Sequence, residues 1–159
     1  MARPNGGERY VVSACLAGAR SRFDGTSKRS ARVERLVRDG EAIPVCPEQL
    51  GGLPTPRPAT EIAGGGGAAV LADRARVLTA NGSDLTANFL RGAEEAAALA
   101  ELFGATSAIL KSRSPSCGCG AVYDGSFKDR VVDGDGVLTA LLRRKGLKVM
   151  TEEEFEKIG

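Results

Sequence analysis

Four cysteines and no histidine set the terms for any chemistry this chain performs. Without histidine there is no Ser-His or Cys-His catalytic pair, no imidazole metal ligand and no imidazole proton shuttle. Proton transfer falls to Asp, Glu, Lys, Tyr, Cys or water. Thiolates gathered without histidine suit zinc or an iron-sulfur cluster. Cys117 and Cys119 are two apart, while Cys15 and Cys46 stand alone. No Cys-x-x-Cys occurs, so the zinc-ribbon and thioredoxin-like patterns are both absent.

Placement supplies what spacing lacks. Tyr10-Val-Val-Ser-Ala runs into Cys15, and Ala42-Ile-Pro-Val runs into Cys46. Ser107-Ala-Ile-Leu empties into the loop Lys111-Ser-Arg-Ser-Pro-Ser-Cys-Gly-Cys-Gly120. These apolar runs read as buried strands. In an open parallel α/β sheet, loops leaving the carboxyl ends of strands line one crevice, where such folds bind ligands. Cys15, Cys46 and Cys117 are therefore expected to meet. Three protein ligands leave a metal position open and favour catalysis; four, with Cys119, close the site. The second case predicts a non-catalytic zinc or Fe-S module with a structural or redox-sensing role. A metal-free enzyme with one nucleophilic thiol is a third reading.

The remaining elements must position these loops. The segment from Cys15 to Arg29 is rich in Gly, hydroxyl and basic residues, able to offer N–H groups and guanidinium forks to an anion or a carbonyl. Val33, Leu36 and Val37 fall at helical spacing, closed by Gly40. Four of the seven prolines lie between Pro47 and Pro58, which argues against helix or central strand and predicts a stiff functional loop. The run Gly64 to Gly67 reads as a flexible surface connection. Ala69-Val-Leu71 and Arg76-Val-Leu-Thr79 are expected to pair as a hairpin, with Asn81-Gly82 as the next turn. Thr86 is the expected N-cap of a long helix with Phe89, Ala93, Ala96, Ala100 and Phe103 on one face, ending at Gly104. A helix over Val137–Lys145, a strand over Leu147–Met150 and a capping box at Thr151-Glu-Glu-Glu154 complete the chain. Alternating strands and helices predict an α/β fold: a single-domain, Rossmann-like three-layer sandwich with a mostly parallel sheet over residues 10–159. Residues 1–9, polar and Gly-rich, are expected to form a disordered extension.

Composition narrows the partners. With 159 residues, 42% apolar and 26% charged, the chain is an ordinary globule long enough for its own core. A net charge of +2 makes no electrostatic case for nucleic acid or membrane binding. The apolar runs are far shorter than a membrane span of ~20 residues. The first residues lack the apolar core of a secretory signal. A cytoplasmic location is expected, where thiols serve as ligands or nucleophiles rather than disulfides.

Val12-Ser-Ala-Cys-Leu16, Phe23-Asp-Gly25, Ser27-Lys-Arg29, Pro44-Val-Cys-Pro-Glu-Gln-Leu-Gly-Gly-Leu-Pro-Thr-Pro-Arg57, Ser114-Pro-Ser-Cys-Gly118 and Gly134-Asp-Gly-Val137 carry a likeness. Together they resemble the TudS family of thiouracil desulfurases, long catalogued as a domain of unknown function. The likeness spans roughly Val11 to Met150. It implies a 4Fe-4S cluster held by Cys15, Cys46 and Cys117, with the fourth iron not ligated by protein, and it makes Cys119 a bystander. Many relatives carry a further cysteine shortly before the Tyr/Phe-Asp-Gly motif, where this chain has Ser21. The implied partner is a small thiopyrimidine: thiouracil, its nucleoside or its nucleotide. No large nucleic acid is expected, and the chain is expected to act as a monomer or small homo-oligomer.

The residues allow the same chemistry. A soft thiocarbonyl sulfur suits an open, thiolate-coordinated iron, and binding there withdraws electron density from the C–S bond. Attack by water then gives an oxo base and sulfide with no net electron transfer. Glu48, two residues after Cys46, is the candidate general base, a role worth roughly 10² to 10⁴ in rate. Ser114 is the candidate to hold water or pass a proton. Asp24, Lys28 and Arg29 are candidates to orient the pyrimidine or a ribose phosphate, and Ser13 to meet cluster sulfur. Competing roles are an ion pair between Glu48 and Arg57, and turn-forming hydroxyls at Ser114 and Ser116. Tyr123-Asp-Gly125 reads as a turn.

Overall fold

A computed structural model describes residues 7–158. In chain order the elements are β1 (Tyr10–Ser13), α1 (Ala31–Arg38), β2 (Ala42–Val45), α2 (Pro47–Leu50), β3 (Thr60–Ala63), α3 (Gly67–Leu71), β4 (Arg76–Thr79), α4 (Thr86–Phe103), β5 (Ser107–Leu110), β6 (Ala121–Tyr123), β7 (Val131–Asp133), α5 (Val137–Arg144), β8 (Lys148–Thr151) and α6 (Glu152–Glu156). The central sheet has the order β2-β1-β5-β8. All its pairings are parallel, with Ser13 opposite Val45, Val12 opposite Ile109 and Ile109 opposite Met150.

Side chains alternate across a strand, and this divides the core into two layers. Val11, Val45, Ala108 and Leu110 pack with Phe89, Ala93, Ala96 and Ala100 of α4 and with Leu138 and Leu142 of α5. Val12, Ala42 and Ile109 pack on the other face with Val33 of α1 and Phe155 of α6. The three-layer α/β arrangement is thus as the sequence predicts. So are the αL glycine closing α4 at Gly104 (φ 78°) and the reciprocal capping box between Thr151 and Glu154.

The region between β2 and α4 departs from expectation. Pro47 does not prevent a helix: it occupies the first turn of α2, where a missing N–H costs nothing. β4 pairs antiparallel with β3, not with Ala69–Leu71, which lie in α3. Thr86 does not cap α4; its hydroxyl accepts from Val77 N at 2.8 Å, tying β4 to the helix. The glycine run is no loose connection either. A Cβ on Gly67 would lie 2.2 Å from Gly136 O, and one on Gly136 would lie 2.5 Å from Ser116 C. Glycine here lets three backbones stack, with the cysteine loop as the innermost.

Residues 1–6 of the expected extension lie outside the described residues. Glu8 and Arg9 are docked: Glu8 accepts from Ser107 Oγ and Tyr10 Oη, both at 2.8 Å, and the Arg9 guanidinium lies 4.0 Å from the Phe103 ring centre. No helix among the described residues is long and apolar enough to cross a membrane.

Candidate functional site

The carboxyl ends of β1, β2 and β5 open on one cleft of about 1090 Å³, and Cys15, Cys46 and Cys117 all line it. Each thiol is delivered by a different local device. Cys15 sits in a single 3-10 turn, Ala14–Ala17, ended by Gly18 in the αL conformation. Cys46 is the N-cap residue of α2, at the carboxyl end of β2. Cys117 lies in a tight turn organised by Ser114, whose Oγ accepts from both Ser116 N and Cys117 N at 3.1 Å. That turn is locked onto α5 by Val137 N donating to Pro115 O and Leu138 N to Ser116 O. Thr139 Oγ1 donates to Cys117 O at 2.9 Å.

Cys119 goes elsewhere. It does not line the cleft; its thiol faces Val149 O at 3.5 Å and Arg143 Nη2 at 2.9 Å. A closed four-cysteine site is therefore not what these backbones present.

Burial holds two of the three thiols, Cys15 and Cys117, in their neutral form. Burial first, then the thiols of Cys15 and Cys46, raise Cys117 to about 12, against the pull of hydrogen bonds from Ser13 and Ser116. Burial first, then Cys46, raises Cys15 to about 11, against the pull of Lys111 and Arg22. Thiols that penalise one another's ionisation are stabilised as thiolates by bound metal. Among the described residues, no three His, Cys, Asp or Glu side chains stand close enough to share one metal ion. A sulfide-bridged cluster does not require its thiolates to meet at one point, and three soft thiolates match its donor chemistry. The residues present therefore fit an iron-sulfur cluster.

Beside the thiols runs a file of oxygen atoms. Ser116 Oγ donates to Glu48 Oε2 at 2.8 Å and lies 3.0 Å from Ser114 Oγ. The other carboxylate oxygen, Glu48 Oε1, accepts from Arg57 Nε at 2.9 Å. The ion pair that competed with a catalytic role for Glu48 is thus present, and Ser114 is the turn residue its hydroxyl suggested. Both side chains nonetheless line the cleft. Ser13 Oγ accepts from Lys111 N at 2.8 Å, and its hydroxyl is within hydrogen-bonding reach of the Cys117 thiol.

Of the residues expected to orient the pyrimidine, Lys28 and Arg29 line the cleft and Asp24 does not. Asp24 closes a turn by accepting from Thr26 N and Thr26 Oγ1. Arg29 forms a two-pronged pair with Glu34 at 3.0 and 2.7 Å. Ser116 and Arg57, expected only as a turn hydroxyl and an ion-pair partner, also line the cleft, as does Lys111, for which the sequence suggested no role. Lys111 Nζ lies 3.4 Å from Glu152 Oε2, and Ser112 N donates to Glu152 Oε1 at 2.7 Å. Glu152 opens the last helix, so its arrival here has no local sequence signal.

The comparisons with known proteins bear on this geometry. The family model for 2-thiouracil desulfurase matches residues 10–154. The chain belongs to that family. As a member, it is 41% identical over 148 residues to the uncharacterised protein YbbK of Bacillus subtilis (strain 168), covering 93% of this chain and 98% of that one. A solved structure described as the 4Fe-4S-dependent thiouracil desulfidase TudS is 43% identical, with a TM-score of 0.83 over 96% of this chain and 95% of that one. The family match covers every residue lining the cleft except Glu156.

Proposed function

We propose that this chain is an iron-sulfur-dependent desulfurase that hydrolyses thiouracil, as base, nucleoside or nucleotide, to uracil and sulfide. The observation that carries the reading is that Cys15, Cys46 and Cys117 open on one cleft while Cys119 lies outside it. These three would hold a 4Fe-4S cluster, leaving one iron without a protein ligand. When bound, the cluster supplies a soft Lewis acid for the thiocarbonyl sulfur, which makes the ring carbon electrophilic.

The chain's own residues do the rest. Glu48 holds the attacking water and takes its proton at Oε2, since each carboxylate oxygen keeps a lone pair beyond its present bond. Ser116 has one hydroxyl proton, and Glu48 receives it, so Ser114 donates in the Ser114–Ser116 contact. Once Glu48 is protonated, Oε2 donates to Ser116 Oγ, and Ser116, held by Ser114, passes its own proton toward the departing sulfur on the Cys117 side. Both protons of the water end on the departing sulfur, and its oxygen stays on carbon. Lys28 and Arg29 stand on the cleft wall to meet the polar edge of the substrate, with Asp24 holding the turn that carries them. Ser13 donates toward Cys117. We place this activity in the cytoplasm, on small molecules, in a monomer or small homo-oligomer; four unpaired thiols support a reducing compartment.

Anaerobic reconstitution tests the reading. Expected are about four irons and four sulfides per chain and conversion of thiouracil to uracil, followed by loss of the thione absorbance. Stoichiometric zinc, or a loaded cluster with no turnover of base, nucleoside or nucleotide, would overturn it. Size-exclusion chromatography with light scattering reads the oligomeric state.

A further inference from the structure

The proposed reaction assigns nothing to Arg57, yet its guanidinium is the most completely engaged charged group of the cleft. Its side chain is only 3% exposed. Nε donates to Glu48 Oε1 at 2.9 Å, Nη1 to Thr55 Oγ1 at 2.8 Å and Pro54 O at 3.2 Å, and Nη2 to Ser21 O at 2.8 Å. The same Nη2 faces Cys46 Sγ at 4.0 Å. At that distance the contact acts through charge more than through a shared proton. Arg57 N also donates to Phe23 O at 2.8 Å, so the residue clamps the loop after β1 as well.

Stability alone does not account for this arrangement. A buried ion pair is a poor source of folding free energy, because desolvation offsets attraction, and apolar side chains of similar volume often serve as well. What an ionic group provides here is a fixed direction. A planar fork holds the proposed base and a proposed cluster thiolate in one rigid frame, which a lysine's point charge does not. Hydrogen bonds and charge beside cluster sulfurs set the reduction potential.

We propose that Arg57 is a positioning residue, fixing the orientation of Glu48 through Oε1 and setting the electronic character of the cluster through Cys46. This rests on the reading that Cys46 ligates iron and Glu48 takes the proton.

The test compares Arg57→Met and Arg57→Lys with wild type after anaerobic reconstitution. It measures iron and sulfide per chain, the midpoint potential by reductive titration, and steady-state thiouracil turnover. Arg57→Met is expected to load its cluster, to shift the potential to more negative values as a neighbouring positive charge is lost, and to lower kcat about 10- to 100-fold at unchanged KM. Arg57→Lys keeps the charge but not the fork, so most of the potential returns and only part of kcat. A potential and a kcat per cluster equal to wild type in Arg57→Met would overturn the proposal and leave Arg57 a structural tie. So would two folded variants that take up no iron, since Arg57 would then serve assembly. Where Arg57→Met does not fold, an unchanged kcat per cluster in Arg57→Lys overturns it. The potential is read without turnover, so a wild type that loads a cluster but leaves thiouracil intact sinks the proposed function separately.

Discussion

Ser116 Oγ donates a 2.8 Å hydrogen bond to Glu48 Oε2 across 68 residues of sequence. It joins the loop after β5 to the helix after β2, so the proposed base is held from both sides, by Ser116 on Oε2 and Arg57 on Oε1. A hydrogen bond to a charged group is worth roughly 1.5–3 kcal/mol. Ser116→Ala, which leaves Ser114 Oγ its two backbone donors, should therefore lower kcat about 10- to 100-fold with iron content unchanged. Full activity in this variant would remove the hydroxyl file from the mechanism.

Glu48→Gln retains the shape of the carboxylate and an acceptor for Ser116 but not the basicity. Turnover should fall by roughly 10² to 10⁴, the usual worth of a general base, while the charge-transfer absorption of the cluster persists. A variant that keeps its cluster and its wild-type kcat would assign the proton to another group.

Cysteine substitutions should divide cleanly. Cys15→Ser, Cys46→Ser and Cys117→Ser should each lose bound iron and activity. Cys119→Ala should keep both, because its thiol points to Val149 and Arg143 rather than into the cleft. Iron lost with Cys119 would revive the closed four-thiolate site.

The metal-free protein should be alkali-sensitive. Cys15 and Cys117 are raised to about 11 and about 12 from an ordinary 9.0, in both cases first by burial. The unfolded chain then releases these protons more readily than the folded one, so stability is full below pH about 9 and falls as pH rises toward 12. Urea midpoints on either side of pH 9 read this slope, and a Cys15→Ala/Cys117→Ala double variant should flatten it. An equal slope in that variant would assign the effect to other groups. Iron uptake, which must displace the same protons, should quicken over the same range.

Gly92→Ala tests how α2 is seated. A Cβ there would lie 1.8 Å from Pro47 O, so α2 must move off α4 and carry Glu48 with it. Overpacking of this kind typically costs about 1–3 kcal/mol. A lowered Tm together with lowered kcat is expected; a normal Tm would mean the two backbones separate without cost.

What could be read in the chain, and what could not, divides along physical lines. Cys15, Cys46 and Cys117 were legible because each follows an apolar run, and one rule of parallel sheets then brings the loops together. The long helix was legible because Phe89, Ala93, Ala96 and Ala100 hold a period over about three turns. The stretch from Pro47 to Leu71 was misread for lack of such a period. Proline at a helix start and glycine in a backbone stack use the same residues as loops, and only the partner strand or helix tells them apart. The Glu48–Arg57 pair was legible because the two stand nine residues apart in one stretch of chain, whereas nothing pointed Ser116 at Glu48, since that contact depends on how β2 and β5 flank β1.

The three sulfurs also carry a temporal order. β2, β1 and β5 are neighbours in the sheet, but β5 is separated from β1 by most of the chain. A growing polypeptide therefore exposes Cys15 and Cys46 early and gains the third of the proposed ligands only after α4 has been made. Any chain cut short before Cys117 has two of the three sulfurs, and one cut before Ser107 also has an open sheet edge where β5 belongs. Under the proposed ligand set, cofactor delivery reads out synthesis past residue 117, and iron labelling of stalled chains ending before and after that residue would show whether maturation waits for it.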